Sequence, residues 1–332
     1  MKALVYTGPL SLELQEIAAP EPGPNEALIR VEAVGICGSD MHAYHGHDSR
    51  RPAPLVLGHE AAGRIVGGVR DGERVAVNPL VTCGSCAACE SGRSHLCPSR
   101  QILSMPPRPG AFADYVCAPC RNLVAIPKDF AVEKAALAEP IAVSWHAVNQ
   151  GARVLGRPIA GLTAVVLGGG AIGLAAALVL VLQGAAEVLV AEPNAKRRAT
   201  VERSGPIRAY APDVSNGRAS DSVDLVIDAV GARATRAEAS RIVRPGGAIV
   251  HVGLLPGAEG FDVRKITLQE IVVSGSYCYT MRDFREVVDA LASGRLGALD
   301  WTELRSLSDG PRAFADIDAN AIAAAKIVLI PP

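Results

Sequence analysis

The apolar positions of this chain change period part-way along. From Lys2 to about Val34 they alternate with polar ones, at 3–6, 10–14 and 27–33. That period predicts short strands with one buried face. Gly35 and Gly38 then bracket Cys37 and mark a turn, where a cysteine can face a cleft. Strand pattern resumes over 64–77. In the middle third the apolar runs become continuous at 163–167, 187–191, 223–231, 248–253 and 271–275. These predict buried strands, with helices over 174–183 and 233–243. Near the end, Phe284, Val287, Val288 and Leu291 share one face of a helix over 282–292. A weaker helix is predicted over 313–325 and a strand over 326–330. A β-rich part followed by a βα-alternating part predicts an α/β protein with a parallel sheet in its second half.

Length and charge narrow the reading. A chain of 332 residues is too long for one ordinary core, so two domains are expected. The tail is too short for a third and is expected to pack back onto the first. Net charge is −1 with no basic block, which argues against nucleic acid or a membrane surface as partner. The longest apolar run, from Leu174 to Leu182, falls short of the roughly 20 residues of a spanning helix. Gly8-Pro9 interrupts the N-terminal stretch before a signal-peptide core can form. A cytoplasmic location is therefore expected, with the eight cysteines as thiols or metal ligands.

Cys83, Cys86, Cys89 and Cys97 follow C-x2-C-x2-C-x7-C. Four thiolates close a tetrahedral zinc site with no open position, so this cluster is structural. Iron–sulfur is the rival reading; the tight spacing and the rest of the chain favour zinc. His95 inside this loop, like His45 and His47, is expected to be exposed. Cys117 and Cys120 form another C-x2-C at the end of a strand and read as structural thiols. Cys37, His59, Glu60 and Glu139 are zinc-ligand types that stand apart from these clusters.

Gly168-Gly169-Gly170-Ala171-Ile172-Gly173 matches G-x-G-x-x-G between a predicted strand and helix. Gly168 makes the turn, Gly170 admits the pyrophosphate, and Gly173 permits close helix–strand packing. Glu192 ends the next strand, where an acid bonds the adenine-ribose hydroxyls and repels a 2′-phosphate. NAD is expected over NADP, with Lys196-Arg197-Arg198 as the contrary signal. Gly231 and Gly253 fall at strand ends, where ligands dock in such sheets.

Taken in order, Cys-Gly-Ser-Asp-x-His at 37–42, Gly-His-Glu at 58–60, the four cysteines, Glu139-Pro140 and the glycine loop resemble the zinc-dependent medium-chain dehydrogenases. The sorbitol, butanediol and threonine dehydrogenase branch is the most similar. The resemblance covers nearly the whole chain. It implies a GroES-like β-barrel catalytic domain over 1–140, a Rossmann coenzyme domain over 141–276, and a return segment over 277–332 that completes the first. It implies Cys37, His59, Glu60 and Glu139 as catalytic zinc ligands, with Glu139 reaching the metal directly or through water. Ser39 and His42 are implied as proton relay, and Asp40 as the partner orienting His59. Ala171, Ile172, Arg197, Val230, Val252 and Gly253 join Gly168, Gly170, Gly173 and Glu192 as expected cofactor contacts. The implied reaction moves a hydride from a secondary alcohol of a polyol or sugar derivative to NAD, giving a ketone. L-threonine or 2,3-butanediol is the alternative substrate, and a non-catalytic NAD-binding sensor the alternative of another class. A homodimer or homotetramer is implied as well. In two respects the chain departs from the pattern: the stretch from Gly63 to Val75 is short for the family, and Glu73 stands where Asp is usual.

Overall fold

A computed structural model describes residues 1–212 and 218–332. Strand Glu26–Gly35 is the centre of the first half. It pairs antiparallel with Glu60–Val66 on one side and with Lys326–Ile330 on the other, and also with Tyr115–Pro119. Arg74–Val77 and Leu123–Ala125 extend one edge, and Thr302–Ser306 the other, into a seven-stranded sheet. A smaller sheet of Ser11–Glu16, Lys2–Gly8 and Leu55–Val56 lies beside it. The strand Lys2–Gly8 is where expected, but its one-sided alternation is not: Ala3 to Tyr6 are all buried, so both faces of the strand are covered. The strand at 326–330 does return to the first sheet, 290 residues downstream of the backbone it meets at Ile36.

The second half is a six-stranded parallel sheet. Its spatial order is Arg208–Tyr210, Glu187–Ala191, Thr163–Leu167, Val223–Asp228, Val243–His251, Val272–Gly275. Counted from Thr163–Leu167 this is 3-2-1-4-5-6, the doubly wound order that opens a crevice where the order reverses. Helix Ala171–Leu182 follows the first of these strands. Its apolar residues are buried almost all round, as a helix covering a buried sheet requires.

Helix Ala138–Leu155 is absent from the sequence expectation. Glu139, His146, Gln150 and Arg153 recur on one face at helical spacing, but Glu139 and His146 on that face are buried against Tyr279 and Asp283 rather than facing solvent. Pro140 sits in its first turn, where a missing N–H costs nothing. At Gly151 a Cβ would lie 2.8 Å from the end of the Leu225 side chain of the parallel sheet, so a larger residue there would displace that leucine. Gly156, at φ 63°, ends the helix in the left-handed region. A second correction concerns 313–325. The helix there is Gly310–Asp318, begun by Pro311 in its first turn and stopped before Asn320, whose φ is +51°. Among the described residues no helix is long and apolar enough to cross a membrane.

Candidate active site

Lined by residues of both the seven-stranded half and the parallel-sheet half is a cleft of about 550 Å³. Its lining includes Cys37, Ser39, His42, His59 and Glu139 at one end. At the other are Gly168, Gly170, Ala171, Ile172, Gly173, Glu192 and Arg197, with Val230, Val252 and Gly253 along the wall. Two stretches expected to carry different chemistry therefore open into one space.

Cys37 caps helix Gly38–Tyr44, and Glu60 begins strand Glu60–Val66 with His59 just before it. One donor atom from each of Cys37, His59 and Glu60 lies within 4.8 Å of the other two. Asp40 is fully buried in the first turn of that helix. Its Oδ2 accepts the Cys37 N–H at 2.9 Å and its Oδ1 the Gly58 N–H at 3.3 Å, while His59 Nδ1 stands 3.5 Å from Oδ1. This fixes both loops and leaves the His59 Nε2 edge for ligation. Burial alone would push the Asp40 carboxyl up, but His59, Arg51 and the backbone donor hold it below its usual value. Burial would likewise push the His59 ring down; Asp40 and the Cys37 sulfur outweigh it and hold the ring well above its ordinary pKa.

Glu60 is fully buried. Its Oε1 accepts from Lys326 Nζ at 2.6 Å, and Lys326 also donates to Ile36 O at 2.7 Å. The other oxygen, Oε2, is buried without a hydrogen-bond partner. A buried orphan carboxylate oxygen beside a thiol and an imidazole is the donor set that a zinc ion satisfies. Glu139 lies outside the mutual set. It is buried at the start of helix Ala138–Leu155, and Oε1 accepts from Tyr279 at 2.9 Å. Burial and the nearby Glu60 push its carboxyl up to about 7, against the pull of His59.

Ser39 and His42 lie three residues apart on one helix and both line the cleft. Burial holds the His42 ring below its ordinary pKa, so it is neutral near pH 7 and able to accept a proton. The loops at 44–51 and 101–108 are expected from sequence to line the pocket, but sequence reasoning gives no role to the individual groups around Ser39 and His42. Arg51 is buried, donates from Nε to Ser104 O at 3.0 Å, and places Nη2 3.5 Å from Ser39 Oγ. Ser104 Oγ lies 3.4 Å from His59 Nδ1. Lys326, Tyr279, Arg51 and Ser104 come from four distant stretches, and no local spacing announces them.

The four clustered cysteines meet as expected. Cys86–Cys89 and Cys83–Cys97 Sγ atoms are 3.5 Å apart and Cys83–Cys89 3.9 Å. Backbone N–H groups of Ser85 and Cys86, with the Cys97 thiol, bring Cys83 down to about 6, toward the thiolate a zinc site needs. His95 contradicts its expectation. It is buried, with its ring 4.7 Å from that of His146, which bonds Asp283 at 2.8 Å. The cysteine loop is thereby docked on the long helix. His47 is exposed as expected, while His45 is half-buried and paired with Asp318. Cys117 is raised to about 11 by burial, which makes it an unreactive thiol.

At the dinucleotide end, Gly168 has φ +99° and Gly173 approaches so closely that a Cβ would lie 1.8 Å from Gly168 O. Nothing lies within 4 Å of a Cβ on Gly170, which leaves the open floor a pyrophosphate would fill. Glu192 Oε2 accepts the Gly169 N–H and Oε1 the Asn194 N–H, both at 2.8 Å. Arg197 sits 3.4 Å from Glu192 and donates to Asn320 Oδ1 at 2.8 Å.

Residues 23–128 match the alcohol dehydrogenase GroES-like domain, and residues 171–293 match the zinc-binding dehydrogenase domain. L-galactonate-5-dehydrogenase of Escherichia coli is 34% identical, over 90% of this chain and 89% of its own. L-threonine 3-dehydrogenase of Thermococcus kodakarensis is 33% identical, over 81% and 79%. A solved zinc-binding dehydrogenase from Sinorhizobium meliloti 1021, bound to NADP, superposes with a TM-score of 0.90 at 30% identity, covering 99% of each chain. With the paired sheets, the two ligand groups and the glycine loop already in place, these matches show that the chain belongs to the zinc-dependent medium-chain dehydrogenases.

Proposed function

We propose that this dehydrogenase oxidises a secondary alcohol of a polyol or sugar derivative to the ketone, with NAD as acceptor. The observation that carries the reading is the shared cleft: the Cys37–His59–Glu60 group and the glycine loop open into one cavity. Galactonate, named for one relative, is a sugar acid, and the alternative of L-threonine rests on the other. When bound, zinc supplies a Lewis acid for the substrate hydroxyl and the dinucleotide supplies the hydride acceptor.

The chain's own residues do the rest. Cys37, His59 and Glu60 would hold the ion, with Glu139 reaching it through water. Asp40 fixes the His59 tautomer. Ser39 takes the substrate proton and His42 passes it to solvent. Arg51, donating toward Ser39 Oγ, holds that hydroxyl in place as it takes the substrate proton and gives up its own. Gly168 to Gly173 face the pyrophosphate with the helix N-terminus, and Ala171, Ile172, Val230, Val252 and Gly253 line the dinucleotide's path. Glu192 takes the ribose hydroxyls. Its burial and Arg197's engagement with Asn320 support NAD over NADP.

The division at 140 and 276 belongs to the same proposal, supported by the return of strand Lys326–Ile330 to the first sheet. So does a homo-oligomer: Val272 and Val273, 40% and 39% exposed, lie on the edge strand of the parallel sheet, a surface a second copy would cover. Eight free cysteines support a reducing, cytoplasmic setting.

A panel of polyols, sugar acids and L-threonine, read as NADH absorbance, tests the substrate class. Cys37→Ser is expected to lose both turnover and one of about two zinc ions per chain. Retained polyol oxidation without that ion would sink the reading.

A further inference from the structure

The substrate end of the cleft carries more positive charge than proton transfer requires. Arg50 reaches Asp48 with Nε at 2.8 Å and Nη2 at 3.0 Å, and Arg51 reaches the same carboxylate with Nη1 at 2.5 Å. One carboxylate therefore serves two guanidinium groups and leaves a net positive charge. Asp48 itself is held at about 2 by these partners despite partial burial, so it stays ionised and keeps the pair in place.

The two arginines are used differently. Arg51 is buried, and its remaining donors go to Ser104 and Ser39. Arg50 lines the cleft with a side chain 60% exposed. Among the described residues its Nη1 has no partner. Its fork is thus oriented by Asp48 yet keeps N–H groups free. Tyr277 and Cys278, both held neutral by burial, form a wall of the same cleft. Arg100 backs that wall, 4.9 Å from the Tyr277 ring centre and 3.3 Å from its hydroxyl. The acidic side chains lining the cleft are Glu139 and Glu192, and neither pairs with Arg50.

We propose that Arg50 binds an anionic oxygen group at the substrate end remote from the reacting carbinol, so that the substrate is a sugar acid or a polyol phosphate rather than a neutral polyol. This rests on the polyol or sugar-derivative reading above. An arginine fork donates parallel N–H bonds to carboxylate or phosphate, and fixed positive charge between low-dielectric walls concentrates anions. A neutral hydroxyl draws on neither effect. Carboxylate and phosphate share this chemistry, and the assay separates them.

The holoenzyme is assayed with NAD and gluconate, sorbitol or sorbitol phosphate, and each compound is titrated calorimetrically. The expected result is an anion preference over sorbitol of roughly tenfold or more in kcat/KM, carried by KM. Arg50→Gln removes that preference, Arg50→Lys restores part of it, and added salt erodes it in the unaltered protein. The better of the two anions names the group. Equal use of sorbitol and both anions, or a preference that survives Arg50→Gln, overturns the proposal. If none of the three is oxidised, the polyol reading fails separately, and calorimetry decides for Arg50. Anion binding lost in Arg50→Gln upholds its role; binding absent from the start, or unchanged, refutes it. A melting curve confirms that the exposed substitution folds.

Discussion

The Cys83–Cys97 loop and the Cys37–His59–Glu60 group both gather donors around one point, yet the chain builds them over very different spans. The loop draws four sulfurs from one short stretch, with Cys83 exposed and Cys97 buried. The other group draws its donors from a helix cap and a strand start. It then needs Asp40, Ser104, Arg51 and Lys326 to hold buried charge in balance. A saturated four-thiolate set needs nothing beyond itself and has no position for a substrate. A three-donor set that keeps a position open must be shaped by its surroundings.

The sharpest way to break this contrast is to remove one sulfur from each. Cys83→Ser is expected to lose the structural ion and much of the folding free energy, since zinc binding by such a loop is worth about 10 kcal/mol or more to folding. Its melting temperature falls steeply. Cys37→Ser is expected to abolish turnover with a far smaller change in melting temperature. Equal melting losses in the two variants would erase the distinction.

Lys326→Met tests the buried balance. It strands the Glu60 carboxylate, which costs about 3–5 kcal/mol when a buried pair loses one partner. Because a bound cation can stand in for the lost ammonium, the loss measured by urea unfolding should shrink when zinc is added. A zinc-independent loss would show that Glu60 does not face the ion.

The smallest effect concerns the docking of the cysteine loop through His95, His146 and Asp283. Despite burial, the bonds from His146 and Thr280 hold the Asp283 carboxyl at about 2, below its ordinary 3.8. A carboxyl with a depressed folded pKa stabilises the fold above its unfolded pKa and loses that contribution as pH falls through the folded value. The difference in stability between the unaltered protein and Asp283→Asn should therefore be about 1–2 kcal/mol at pH 7. It should narrow between pH 4 and pH 2, measured with the bound zinc of both proteins followed in parallel so that metal loss is compared at equal occupancy. A difference that stays flat across this window would remove Asp283 from the dock.

Much of this was legible from residue order. The glycine loop and the four cysteines are local patterns whose spacing is itself the geometry. Alternation placed the first strands, and continuous apolar runs placed the parallel ones. The misses share one cause. Helix Ala138–Leu155 has a polar face at Glu139, His146, Gln150 and Arg153, but the partners that bury it, Tyr279 and Asp283, lie far along the chain. His95 resembles a surface residue until the long helix is brought against it. Arg51, Ser104, Tyr279 and Lys326 act only through contacts that the fold creates.

The Lys326–Glu60 bond joins residues 266 positions apart. Domains form from the N-terminal end as synthesis proceeds. The cysteine loop has all its donors early and can close on an ion while the chain is still growing. Glu60 must wait for its cation until the parallel sheet between them has been made. The order of residues therefore sets an order of availability: the four sulfurs of the loop are complete first, and the Glu60–Lys326 pair only once the coenzyme-binding half has been made.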